Sequence, residues 1–126
     1  MAKKVLVVED DKFLRKIINK KLVTEGYEVI EAVDGEEGIR MAKGKRPDII
    51  LLDLVLPEMT GFEVLAKLKE KGPVSEIPVI ILSNLSGVDE IRKGIKMGAA
   101  DYLVKAHFNP SEIILKMELV FNKNKK

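Results

Sequence analysis

The sequence predicts an α/β protein, a five-stranded parallel sheet in the order 2-1-3-4-5, doubly wound with helices on both faces. Two observations carry this expectation. Short apolar runs recur at fairly even intervals, and segments with helical spacing fill the gaps between them. Several of the runs are continuous rather than alternating, as befits strands buried on both faces of a parallel sheet. Strand–helix units in strict alternation imply right-handed crossovers, and for five such units 2-1-3-4-5 is a common strand order.

The first strand is VLVV (5–8), which runs straight into Glu9, Asp10 and Asp11. Three adjacent carboxylates repel one another, so something must offset their crowding. The helix that follows carries Leu14, Ile17, Ile18 and Leu22 on one face, with Asp11 as its N-cap and Gly26 placed to end it. YEVI (27–30) is the second strand. Asp34, three residues before Glu37, makes a capping-box arrangement and starts a short helix that ends near Gly44. The third strand lies in DIILLDLVL (48–56), with Asp53 at its carboxyl end, and Phe62, Leu65 and Leu68 serve the third helix. PVIIL (78–82) is the fourth strand, closed by Ser83, and Val88, Ile91 and Ile95 give the fourth helix its apolar face. DYLV (101–104) is the fifth strand, closed by Lys105. The last helix begins at NPSE, with Asn109 as N-cap, Pro110 in the first turn and Glu112 at the third position. It continues through Ile113, Ile114, Met117, Leu119, Val120 and Phe121; Met97 and Met117 read as core filler. No repeat or linker interrupts the series. The expectation is one domain over residues 1–126, with no output domain after it.

Composition narrows the function. At 46% hydrophobic and 33% charged, the chain has the make-up of an ordinary globular domain. Its 22 basic residues against 20 acidic ones leave a net charge of +2, which points to neither nucleic acid nor an anionic membrane as partner. With no cysteine, thiolate metal sites, disulfides and thiol catalysis are excluded. Four apolar residues before the first acids are too few for a signal peptide, and no later stretch approaches a membrane span. The expected location is therefore the cytoplasm.

In open α/β sheets, ligands bind outside the carboxyl ends of the strands, where the strand order reverses. Here that is the switch between strands one and three, which brings Glu9 and Asp10 beside Asp53. Crowded carboxylates raise one another's pKa unless a cation intervenes. Oxygen ligands without His or Cys favour a hard ion, and a few carboxylates suit Mg²⁺, which keeps its waters and meets phosphate. Ser83 and Lys105 end strands on the same rim. A hydroxyl and an ammonium facing an acid cluster make a cradle for a transferred phosphoryl group. A lone Ser or Lys at a strand end is ordinary; four strand ends with compatible chemistry are not.

At these residues the sequence resembles the response-regulator receiver domain, which has the flavodoxin-like form of this fold. The resemblance spans essentially the whole chain through VLVVEDD (5–11), PDIILLDLVLPEMTGFEVL (47–65), PVIILSN (78–84) and GAADYLVK (98–105). It implies that Asp53 accepts phosphate from a histidine kinase. It further implies that Asp10 binds Mg²⁺ directly, that Glu9 acts mainly through water, and that the backbone carbonyl of Val55 is another ligand. Ser83 would hydrogen-bond the phosphoryl group, Lys105 would pair with it, and Tyr102 would be the rotating aromatic of a switch. Pro57 and Gly61 match the loop after the phosphoacceptor, where Thr60 replaces the more usual Asp. The family has proline directly after the lysine, whereas this chain has Ala106 and His107 in a loop one residue longer. A cis bond there without proline would cost about 2.5–4 kcal/mol, which leaves the path of the loop and the aim of Lys105 open. His107 as a ligand is the less expected reading beside simple exposure.

The implied protein is a phosphoacceptor rather than an enzyme, with at most slow autophosphatase activity. Its output would be binding, to a downstream protein or to itself, through helix four, strand five and helix five. Val55 and Leu85, two residues beyond the phosphoacceptor and the hydroxyl respectively, are apolar where the family places side chains that orient the hydrolytic water. A long phosphoryl lifetime is expected from them. Two alternatives belong to other classes. One is a Mg²⁺-dependent phosphatase or phosphotransferase with Asp53 as nucleophile, though phosphatases of that type carry a second Asp where Val55 stands. The other is a receiver-like module that binds partners without phosphorylation, which the intact set of Glu9, Asp10, Asp53, Ser83 and Lys105 disfavours.

Overall fold

The structure, a computed structural model, describes residues 2–107 and 109–124. The elements run β1 (Lys4–Val8), α1 (Lys12–Thr24), β2 (Glu28–Ala32), α2 (Gly35–Lys45), β3 (Ile49–Leu52), α3 (Gly61–Leu68), β4 (Val79–Ser83), α4 (Val88–Lys96), β5 (Asp101–Val104) and α5 (Pro110–Asn124). Short 3-10 turns at Pro73–Glu76 and Lys105–His107 lead into β4 and out of β5. All strand pairs are parallel, and the order is β2-β1-β3-β4-β5, as the sequence predicts.

The continuous apolar runs have a simple cause. Successive strand residues point to opposite faces, and both faces are covered. Leu6, Val8, Ile50, Leu52 and Ile81 pack with Ala42 of α2 and Val64, Leu65 and Leu68 of α3. The residues between them, Val5, Val7, Ile49, Leu51, Ile80 and Leu82, pack with Ile18 and Leu22 of α1 and Ile113, Met117 and Val120 of α5. Met117 is fully buried, the filler role expected of it.

The helix boundaries follow their caps, with two departures. Asp11 accepts the Leu14 N–H at 3.0 Å and begins α1; Gly26, at φ 92°, follows its end. At α2 only half the expected capping box forms. Asp34 accepts the Glu37 N–H at 2.8 Å, but the Glu37 carboxylate turns to the N–H of Val33 at 2.7 Å. That helix also runs past Gly44 and stops at Arg46, in the left-handed region at φ 47°. A complete box occurs instead at α3, where Thr60 and Glu63 each accept the other's backbone N–H.

The fourth helix corrects the reading of its apolar face. Val88 and Ile95 are 65% and 44% exposed, and the residue of α4 that meets the sheet is Gly94. A Cβ on Gly94 would lie 2.6 Å from Ile81 Cδ1 and 3.4 Å from the Tyr102 ring. The helix approaches too closely for a side chain at that point, so its aliphatic stripe is turned outward. Leu119 of α5 is outward too, at 59% exposure.

Candidate functional site

The parallel register sets the site. Val8 pairs with Leu52, and the ladder continues one step as the Asp53 N–H donates to Val8 O at 3.1 Å. On the other side the Glu9 N–H donates to Ala32 O at 3.0 Å. Backbone hydrogen bonds thus carry Glu9 and Asp53 to the same rim. Glu9, Asp10 and Asp53 offer carboxylate oxygens that all lie within 4.8 Å of one another; Glu9 and Asp53 are buried and Asp10 is exposed. The loop after Asp53 folds back tightly, with the Gly61 N–H on Leu54 O at 2.8 Å. A Cβ on Gly61 would meet Asp53 O at about the length of a bond and a half, so only glycine allows this return.

Lys105 enters from the end of β5. Its ammonium is 2.7 Å from Glu9 Oε1 and 2.8 Å from Asp53 Oδ2. No peptide among the described residues is cis, and a 3-10 turn over Lys105–His107 carries the longer loop while the lysine still faces the acids. The other carboxylate oxygens are also occupied. Glu9 Oε2 accepts the Asp11 N–H at 3.0 Å, and Asp53 Oδ1 accepts the Val55 N–H at 3.2 Å. Arg15, which the sequence reading passed over, donates from Nη1 to Glu9 O at 2.8 Å and pairs through Nε with Glu31 at 2.7 Å. It pins the carbonyl of Glu9 to the neighbouring strand, and no local pattern signals that role.

Burial raises the pKa of Glu9, and the charge of Asp53 adds to this; the Lys105 hydrogen bond and the Asp11 N–H oppose it without cancelling it. Burial alone would lower the pKa of Lys105, but its bonds to Asp53 and Glu9 outweigh that and leave it raised. The ammonium therefore stays charged and offsets the crowding of the acids. All-oxygen donors, three convergent carboxylates and one exposed member open to water fit a hard dication such as Mg²⁺.

A pocket of about 270 Å³ opens over these groups, walled by Glu9, Asp10, Asp11, Asp53, Val55, Asn84 and Lys105. Ser83 is not in that wall. It is fully buried, and its hydroxyl oxygen accepts the Leu85 N–H at 3.3 Å. The carbonyl of the same Leu85 accepts the hydroxyl of Tyr102 at 2.5 Å. The backbone of one residue, Leu85, thus links Ser83 to Tyr102, whose hydroxyl pKa is raised by burial. Val55 is 57% exposed and Leu85 36% exposed; Val55 lines the pocket and Leu85 does not. His107 falls in the 3-10 turn, and its side chain lies outside the described residues. Asn84 went unnoticed as a wall residue because nothing local separates it from the strand-end hydroxyl before it.

A family model described as the response regulator receiver domain matches residues 5–118. The chain is 36% identical over 120 residues to the probable transcriptional regulator ycf27 of Porphyridium aerugineum, covering 95% of this chain and 48% of that protein. It is 40% identical over 105 residues to the response regulator PleD of Caulobacter vibrioides, covering 83% of this chain and 23% of that one. The chain thus spans half or less of the length of these curated relatives. Among solved structures, the chemotaxis protein CheY4 of Vibrio cholerae superposes with a TM-score of 0.88 at 32% identity, over 95% of this chain and 99% of that one. The receiver domain of the Francisella response regulator 1452 gives 0.89 at 32% identity, over 98% and 99%.

Proposed function

The chain belongs to the response regulator receiver domain family of two-component signalling, and from that premise we propose that Asp53 is the phosphoacceptor for a histidine kinase. The observation that supports this most is the buried Asp53 carboxylate, paired with Lys105 at 2.8 Å inside a pocket of acids. A cation of the protein's own, the Lys105 ammonium, faces the carboxylate that would attack phosphorus. In the transfer, an Asp53 oxygen forms a bond to phosphorus as the phosphorus–nitrogen bond of the donor histidine breaks. The electron pair of that bond stays on the imidazole nitrogen, which gains a proton from solvent.

Glu9, Asp10, Asp53 and the carbonyl of Val55 are the groups that would hold Mg²⁺. Bound there, the ion would supply positive charge opposite the phosphoryl oxygens. Lys105 would follow the new charge, and Ser83 would be drawn toward it, releasing the N–H of Leu85, whose carbonyl Tyr102 holds. Output then passes through the face of α4, β5 and α5, where Val88, Ile95 and Leu119 present apolar side chains outward. The proposed role is a signalling switch with slow self-dephosphorylation rather than an enzyme acting on metabolites. No described helix is long and apolar enough to cross a membrane.

Intact-mass analysis after incubation with Mg²⁺ and a small acyl phosphate tests the central assignment. One added phosphoryl group is expected on the wild type and none on Asp53→Ala. Full labelling of Asp53→Ala would sink the assignment, and donor turnover without a retained group would favour a phosphatase.

A further inference from the structure

We propose that Asn84 is a further polar contact for the group carried by Asp53, its side-chain amide donating to a phosphoryl oxygen. The inference rests on the phosphoacceptor reading above. It starts from a mismatch at the end of β4. The Ser83 hydroxyl is enclosed, its oxygen accepts the Leu85 N–H, and it is absent from the pocket wall, whereas the next residue, Asn84, is exposed and lines it. The register pairs Ser83 with Val104, so one step further Asn84 stands beside Lys105, the ammonium that already grips Asp53.

The chemistry of the wall selects this amide. Four of its members, Glu9, Asp10, Asp11 and Asp53, are acids, and Val55 is apolar. Ionised carboxylates only accept hydrogen bonds, so Glu9, Asp10 and Asp11 offer nothing to an incoming anion. Lys105 has three donors, and Glu9 and Asp53 already engage it. A phosphoryl group brings three strongly accepting oxygens. Asn84 is the uncharged side chain of the wall that has N–H donors to give them. It forms no covalent bond and moves no proton. Its contribution is a hydrogen bond that strengthens as negative charge gathers on the transferring group.

The test compares wild type, Asn84→Ala and Asn84→Ser by two readouts. One is the rate of labelling by a small acyl phosphate with Mg²⁺; the other is equilibrium binding of beryllofluoride, a non-covalent phosphoryl mimic. A hydrogen bond to a charged group predicts roughly 10- to 100-fold slower labelling in Asn84→Ala, and a comparable loss of beryllofluoride affinity. Asn84→Ser keeps a shorter donor and should recover part of both. Because the side chain is exposed, Mg²⁺ affinity and thermal stability should stay at wild-type values. Wild-type labelling and beryllofluoride binding in Asn84→Ala would overturn the proposal while leaving Asp53 as phosphoacceptor. Loss of Mg²⁺ affinity in Asn84→Ala would overturn it in favour of a metal-side role. A wild type that takes no label would overturn the phosphoacceptor reading and this proposal with it.

Discussion

Single side chains at the rim should set how long the phosphoryl group lasts. Val55 lines the pocket, and the backbone N–H and carbonyl of Leu85 are both held, by Ser83 and Tyr102. Neither side chain can hydrogen-bond a water, so neither can align one opposite the leaving carboxylate. Water-positioning or general-base help is typically worth ~10²–10⁴-fold in rate. The double variant Val55→Asn with Leu85→Glu restores polar groups at both places, and decay of its phosphorylated form should be at least about tenfold faster than wild type. Intact-mass time courses measure this directly; equal decay would mean that the lifetime is governed elsewhere.

The element whose state the site would govern is α4, and its construction is unusual. Gly87 caps it without a side-chain hydrogen bond, and Gly94 falls in its last turn, two residues before its end. A glycine within a helix costs up to about 0.5–1 kcal/mol relative to alanine, yet here the close approach to Ile81 and Tyr102 demands it. Gly94→Ala would gain that propensity and then force a methyl against Cδ1 of Ile81, a fully buried side chain. Overpacking typically costs 1–3 kcal/mol, so a net loss of about 1–2 kcal/mol is expected in urea unfolding. Stabilisation would mean that the helix shifts freely over the sheet. The backbone N–H and carbonyl of Leu85 tie Ser83 and Tyr102 together ahead of α4. Amide shifts on adding beryllofluoride should therefore spread from Asp53 through residues 84–107; shifts confined to the loops at Glu9 and Asp53 would argue against the switch.

For the molecule as a whole, the acid rim is a place where stability and function pull apart. Lys105 offsets part of the repulsion among the carboxylates, and a bound dication would offset more. A ligand that binds only the folded state stabilises it by about 2.7 kcal/mol when present at 100 times its Kd. Saturating Mg²⁺ should raise the wild-type melting temperature by several degrees. Asp10→Ala should lose most of that increment and, without metal, be at least as stable as wild type because one charge of the cluster is gone. An unchanged Mg²⁺ increment in Asp10→Ala, read by thermal denaturation with and without chelator, would contradict the site as drawn.

The sequence by itself determined the layer order, the five strand–helix units and the rim on which Glu9, Asp10, Asp53 and Lys105 meet. Those features are local: apolar runs of strand length, helical spacing, and acids or a lysine at the point where a run stops. The strand order then follows from rules of chain connection, without knowledge of any contact. Tertiary structure decided the rest, because it depends on distances between residues far apart in the chain. Gly94 faces the sheet and turns Val88 and Ile95 outward only because α4 packs so closely on Ile81. Arg15 reaches both Glu9 and Glu31 only because β1 and β2 are neighbours. Whether Ser83 or Asn84 faces the pocket depends on how β4 ends against β5, where the Ser83 oxygen turns inward to accept the Leu85 N–H and the Asn84 amide is left at the wall.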